Sequence, residues 1–252
     1  MVEPILFYDI PTKNPQQKTW SPNTWKTRYT LNIKGLPYKT IWVEYPDIEA
    51  VSRTLGLSPT GLKADGSPKY TLPAIYDPNT KTAVVESGAI VRYLDKTYPD
   101  TPRLIPYETD ALHVAFDHAF ISTFLPPVLP FVAGPGAESL SPRSRAHLLT
   151  AHNVTPPGAK RDEHWNGVRK TLQMYAQWLQ ADGTTDRRFF LGDKIGYADI
   201  TLAAFLVWIR LMLGADSKEW REISEWDDGR WAKFMGAFAE FEAVDVGEDI
   251  VL

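Results

Sequence analysis

Glu86 and Ser87 are the pair of side chains whose chemistry is easiest to read from this sequence. They stand where an apolar pair, Val84-Val85, gives way to the helical spacing of Ile90, Tyr93 and Leu94. A carboxylate there is a partner for an ammonium. A serine at a helix start offers its hydroxyl and the neighbouring amides to an anion. A molecule carrying both an α-amino and an α-carboxylate group fits the pair. Upstream, Leu72-Pro73-Ala74-Ile75-Tyr76 is a short apolar run with a proline near its start, which marks an edge strand or one whose donors face outward. Asp77-Pro78-Asn79-Thr80 reads as the turn of a hairpin with Val84-Val85 as the returning strand. A second place of interest is Ser21-Pro22-Asn23-Thr24-Trp25. Ser followed by Pro is a helix start, with serine as N-cap and proline at the first helical position. Position 24 is Thr, not Glu or Gln, so no capping box accompanies it.

Composition excludes several classes. The 252 residues suit one large domain or two small ones, and 44% hydrophobic with 23% charged residues is the balance of a soluble globular protein. A net charge of −4 argues against nucleic acid as a partner. The absence of cysteine excludes disulfides, thiolate metal sites and a protein thiol nucleophile. The five histidines lack HExxH-type spacing, and His113 and His118 do not share a helix face, so no metal site is expected. No apolar run approaches the ~20 residues of a membrane span, and Met1 to Ile10 lacks the features of a signal peptide. A cytoplasmic protein is expected, so the sequon Asn153-Val154-Thr155 carries no weight.

The elements that position these residues follow in order. Ile5 to Tyr8 is a buried strand. Asp9 to Thr19, with Pro11, Asn14 and Pro15, is a loop. A helix runs from Ser21-Pro22 to a stop at Gly35, with Leu36 as hydrophobic follower. Tyr38 to Val43 is a strand, Asp47 to Leu55 a weak helix and Leu57 to Lys69 a loop. The hairpin and a helix to about Tyr98 complete the order β-α-β-α-β-β-α, which is thioredoxin-like. Asp100 to Pro106 is a linker, and every later signal is helical. Thr109 to Phe124 carries Phe116, Phe120 and Phe124 on one stripe. Pro126, Pro127, Pro130, Pro135 and the Gly134/Gly136 pair break it. Helices follow from Ser141-Pro142 to about His152, from Asp162 to Gln180, from Ile195 to Leu213 and from Trp231 to Phe241.

The pattern Leu72-Pro73-Ala74-Ile75-Tyr76-Asp77, then Val84 to Pro99, resembles the glutathione transferase superfamily. The stretch Phe189 to Thr201 resembles the motif that opens the central helix of that family's second domain, with Gly196 in the cap position, Asp199 answering it and Ile195/Ile200 as staple. Within the superfamily, residues 7–48 resemble the etherase-like members, the fungal FuA class and the bacterial lignin β-etherases, through the long loop before Ser21-Pro22 and through Lys34-Gly35-Leu36-Pro37-Tyr38.

The resemblance implies an α/β thioredoxin-like domain (1–100) that binds glutathione and an all-α domain (108–252) that supplies a hydrophobic substrate site. It implies a cis Pro73, with the Leu72 backbone bonded to the cysteinyl part of glutathione, Glu86 and Ser87 at its γ-glutamyl end, and Ser21 hydrogen-bonded to its thiolate. Thr19 and Asn23 are alternatives to Ser21. Lys39, Lys63 or Lys69 would hold the glycyl carboxylate, with Lys39 favoured. Tyr107, Phe116, Phe120, Phe124 and Trp208 would face the electrophile, although the same phenylalanine stripe is also what the core face of a helix looks like. The implied function is a serine-type glutathione transferase that conjugates hydrophobic aromatic compounds or cleaves their ethers. Glutathione is the co-substrate, no metal takes part, and the chain forms a homodimer. The alternative is a ligandin-like protein that binds aromatic compounds with little turnover.

Overall fold

Ile5–Asp9 forms β1, and its nearly unbroken apolar character follows from its place in the middle of a five-stranded sheet, where both faces are covered. The structure, a computed structural model, describes residues 2–151 and 158–250; the Asn153 sequon lies outside them. The described residues fall into two units. The first holds residues up to 103, then 139–151 and 241–250; the second holds 104–138 and 158–240.

In the first unit, α1 (Pro22–Lys34) leads from β1 to β2 (Tyr38–Trp42), which pairs parallel to β1 with Ile5 opposite Tyr38 and Asp9 opposite Trp42. α1 stops where predicted: Gly35 takes φ 62°, and the amides of Gly35 and Leu36 both reach the Leu31 carbonyl. A 3-10 turn, Tyr45–Asp47, leads into α2 (Ile48–Thr54). The expected loop after it contains a small hairpin, β3 (Gly61–Leu62) with β4 (Pro68–Lys69). β5 (Ala74–Asp77) and β6 (Thr82–Val85) form the predicted antiparallel hairpin, and α3 (Ser87–Thr97) follows. Ile5, Phe7 and Ile75 from the sheet meet Leu31 and Leu36 at the end of α1 and Ile90 and Leu94 from α3 in one core. The hairpin turn is fixed by the buried Asp77, whose carboxylate accepts from the Tyr93 and Tyr98 hydroxyls (2.6 and 2.7 Å) and the Asn79 amide (2.9 Å).

The sequence gives no sign of the C-terminal segment. Residues after Phe241 return to the first unit, and β7 (Glu248–Asp249) pairs parallel to Ile41 and Trp42. The strand order is β6-β5-β1-β2-β7.

The second unit is helical. α4 spans Asp110–Ser139 without the break that its prolines suggest. Each proline removes a donor to the carbonyl one turn back, but α6 (Arg161–Leu179) compensates at one of them. Thr171 Oγ1 donates to the Thr123 carbonyl, the one that Pro127 cannot serve. Gly167 of α6 lets the Pro127 ring come close, since a Cβ there would stand 2.9 Å from Pro127 Cβ. α4 carries no acidic or basic side chain between His118 and Ala137. It is long and apolar enough to span a bilayer by length and composition alone, with mean hydropathy 1.3 over an 18-residue window, a test that the core helix of a soluble protein also passes.

α5 (Pro142–Ala151) belongs to the first unit, where Ser141 and Ser144 both donate to Glu44. α7 (Tyr197–Leu213) is buried almost throughout and forms the core of the second unit. α8 begins at Lys218, well before the predicted Trp231, and runs to Gly236. Its backbone leaves helical geometry from Trp226 to Gly229, which hides the earlier half from a periodicity reading.

Candidate functional site

Parallel strands finish at one end of a sheet, and the chain that leaves them forms the concave part of α/β folds. Here β1 and β2 finish at Asp9 and Trp42. β5 starts at the same end, because Ala74 lies opposite Tyr8 on one side and Val85 on the other. Pro73 and Glu86 therefore emerge together, joined by a hydrogen bond from the Glu86 amide to the Pro73 carbonyl (3.3 Å). The Leu72–Pro73 peptide bond is cis. α1 runs back along β1, so its first residues also lie at this end. The register thus brings Ser21, Leu72, Pro73, Glu86 and Ser87 to one edge of the first unit.

Ser21 has extended φ/ψ (−66°, 128°), and its carbonyl accepts the first helical bond, from Trp25 N (3.0 Å). It is a cap by backbone, yet its hydroxyl makes no cap hydrogen bond. Pro22 has no N–H, and the amides of Asn23 and Thr24 precede the first residue able to bond within the helix. A hydroxyl and a helix N-terminus thus meet at the same point. The rivals differ in setting: Thr19 is buried and Asn23 exposed.

Glu86 is exposed and holds φ 76°, ψ 124°, a conformation that costs a non-glycine residue about 1–3 kcal/mol. That backbone turns the chain from β6 into α3. Thr71 Oγ1 donates to one carboxylate oxygen at 3.4 Å. Sequence reading gave Thr71 no role, and nothing but its place before Leu72-Pro73 could have suggested one. Ser87 is the first residue of α3 and is buried, and the Glu86 carbonyl accepts from Ile90 N (2.8 Å).

The lysines are not gathered there. Lys39 lies opposite Leu6, towards the other end of β1, and is ion-paired with Glu248 at 2.5 Å. Lys63 faces Glu49 at 3.6 Å. Of the three, Lys69 is on the strand that leads into Thr71, and its carbonyl accepts from Thr60.

The aromatic set divides. Phe120 and Phe124 are fully buried and stack on each other (5.0 Å), on Tyr175 and edge-on to Phe205. They are the core face of α4, so the expectation that they line an open site fails. Trp208 is 5% exposed and packs edge-on against Phe205. Phe116 is half-buried against Phe190, and Tyr107 is exposed. These last two present surface. A cavity of about 950 Å³ in the second unit is lined by Arg187, Arg188, Arg230 and Lys233 together with Asp227 and Asp228, and by none of the predicted aromatic residues. Among the described residues, no cluster of histidine and carboxylate side chains is arranged to hold a metal.

Comparison with known proteins matches residues 20–97 to the N-terminal domain of glutathione S-transferase and residues 111–241 to its C-terminal domain. A crystal structure of the glutathione S-transferase CsGST63524 of Ceriporiopsis subvermispora, in complex with glutathione, is 47% identical with a TM-score of 0.89, over 96% of this chain and 99% of that one. Glutathione transferase GSTFuA3 of Phanerochaete chrysosporium is 41% identical with a TM-score of 0.90, over 97% and 100%. The glutathione S-transferase-like protein ustS of Aspergillus flavus is 30% identical over 94% of this chain and 91% of its own. Both domain matches in tandem, and whole-length likeness to fungal FuA-class structures, accompany the thioredoxin-like sheet and its cis proline. The chain belongs to the glutathione S-transferase family, whose co-substrate is glutathione.

Proposed function

We propose that the chain is a serine-type glutathione transferase acting on hydrophobic aromatic electrophiles, aryl ethers of the kind found in lignin among them. The observation that carries this is the Ser21 hydroxyl, which heads α1 without serving as its side-chain cap. A thiol near its ordinary pKa of ~8.5 is mostly protonated at neutral pH, and the thiolate is the nucleophile. A neutral hydroxyl donor and a helix N-terminus both favour the anion, so no general base is needed. Exposed Glu86 takes the glutathione ammonium, Ser87 and the first amides of α3 take the γ-glutamyl carboxylate, and the Leu72 backbone takes the cysteinyl amide. Lys69 replaces Lys39 as the candidate for the glycyl carboxylate. Phe116 and Tyr107 are the aromatic side chains retained for the electrophile.

A homodimer is part of this reading. Its support is the exposed apolar residues Val114, Ile121 and Leu129, which the helical repeat places on one face of α4. In this reading a partner on that face, rather than a bilayer, covers the apolar helix, and the protein is a cytoplasmic one.

The test is Ser21→Ala. One hydrogen bond to a charged group is worth about 1.5–3 kcal/mol, or about one to two pKa units. The pKa of bound glutathione should rise by that amount. Conjugation of an aromatic chloride should fall about 10- to 100-fold at pH 7 and recover in part at alkaline pH. A variant that loses thermal stability but keeps the wild-type pH–rate profile would reduce Ser21 to a cap and favour the binding-protein reading.

A further inference from the structure

Behind the first turn of α1 lies a fully buried cation. Arg28 donates through one terminal nitrogen to Asp9 (2.9 Å) and Thr40 Oγ1 (3.3 Å), and through the other to the Tyr38 hydroxyl (3.1 Å) and Asp245 (3.3 Å). The rings of Phe7, Trp25, Tyr38 and Trp42 surround it at 5.0–5.9 Å. Burial works against the guanidinium's charge, but Asp9 and Tyr38 outweigh it and raise its pKa.

The contacts form a chain in both directions. Asp9 accepts from the Ile10 amide at 2.7 Å, where the loop towards Ser21 begins. Thr24, which favours the charged form of Asp9, donates its hydroxyl to the Ser21 carbonyl at 3.1 Å. In the other direction, Asp245 accepts from the Thr40 amide (2.7 Å) and from the Thr40 hydroxyl. Trp42 Nε1 donates to the Val246 carbonyl (3.0 Å), and Gly247 turns at φ 64° with no room for a Cβ beside Trp42 and Thr40. Of the tail's other charged pairs, Lys39–Glu248 is exposed, and in Lys18–Asp249 the aspartate is exposed and the lysine half-buried.

We propose that Asp245, acting through Arg28 and Asp9, is a positioning residue for the first turn of α1, so that the C-terminal segment sets how well that turn stabilises the glutathione thiolate. The proposal rests on the reading that α1 begins at the thiolate. Arg28 and Asp9 are poor places to test it, because removing either strands a buried charge. Asp245 is partly exposed at 28%, and Asn keeps its shape without its charge.

The experiment titrates the ultraviolet absorbance of the bound thiolate in the full chain, beside pH–rate profiles. Asp245→Asn should raise the thiol pKa by about half a unit or more, with at least a threefold lower rate at pH 7, partial recovery at alkaline pH and little change in KM for glutathione. Removing a negative charge would by Coulomb attraction alone lower that pKa, so the sign separates positioning from a charge effect. Gly247→Val, which wedges the tail outward with every charge kept, should shift it the same way, and Asp245→Glu should restore part of the loss. An unmoved or lowered thiol pKa in Asp245→Asn overturns the proposal, whatever happens to Tm. Ser21→Ala belongs in the same series. If it shifts the pKa and the tail variants do not, the serine reading stands and this inference falls. If the tail variants shift it and Ser21→Ala does not, the helix amides are what the tail positions, and the hydroxyl role falls.

Discussion

Glu86 holds a positive-φ backbone at an exposed position, which leaves its carboxylate open to a ligand ammonium. Removing the partner of a substrate ammonium costs about 2 kcal/mol or more, so Glu86→Ala should weaken glutathione binding about 30-fold by calorimetry. Unchanged affinity would remove this end of the site. The helix starts at Ser21-Pro22 and Ser87 were legible in the sequence, whereas the thiolate role proposed for Ser21 comes from the family resemblance. Lys39 was misread because its sequence neighbours do not reveal that the β1–β2 register carries it to the far end of the sheet, beside a glutamate more than two hundred positions away. Phe120 and Phe124 fit either role by spacing, and only the rings of Tyr175 and Phe205 decide for the core.

α7 shows how an element's start can be read correctly and its reason missed. Gly196 is the N-cap, and Asp199 accepts from its amide at 2.9 Å, as the motif implies; Asp199 also accepts from Phe190 N at 2.9 Å. A Cβ at Gly196 would stand 2.6 Å from the end of the exposed Leu191 side chain, so a serine cap would require that side chain to swing aside. Burial pushes the Asp199 carboxyl up to about 7 against the pull of its hydrogen bonds. An acid with a raised folded pKa binds its proton more tightly in the native state. Its stabilisation is therefore complete below the unfolded value of 3.8 and is lost as pH rises through about 7. Across that window wild type should lose roughly 2–4 kcal/mol through this group, and Asp199→Asn should flatten the fall of Tm between pH 4 and 7. Parallel Tm–pH curves would contradict this. α4 was illegible for the opposite reason: its prolines argue locally for a break, and their compensation comes from Thr171 and Gly167 on another helix.

For the molecule as a whole, the exposed apolar face of α4 at Val114, Ile121 and Leu129 predicts assembly. Light scattering at micromolar concentration should return twice the 28.5 kDa chain mass, and lysine at Val114 and Ile121 should return the monomer. A monomer at every concentration would end the dimer reading. The order of sheet and helices was legible from caps and periodicity, whereas the tail was not, because its strand is two residues long and its holding contacts are all distant in sequence. That tail also does something unrelated to chemistry. Without it, β2 would be the outer strand of the sheet, with its unpaired backbone groups open to any other extended chain. The Thr40 amide is instead taken by Asp245 and the Trp42 carbonyl by Ile250. A proteolytic cut after Glu242 would leave a sticky edge, and such a protein would be lost from solution by strand-to-strand aggregation before its helical half had begun to unfold.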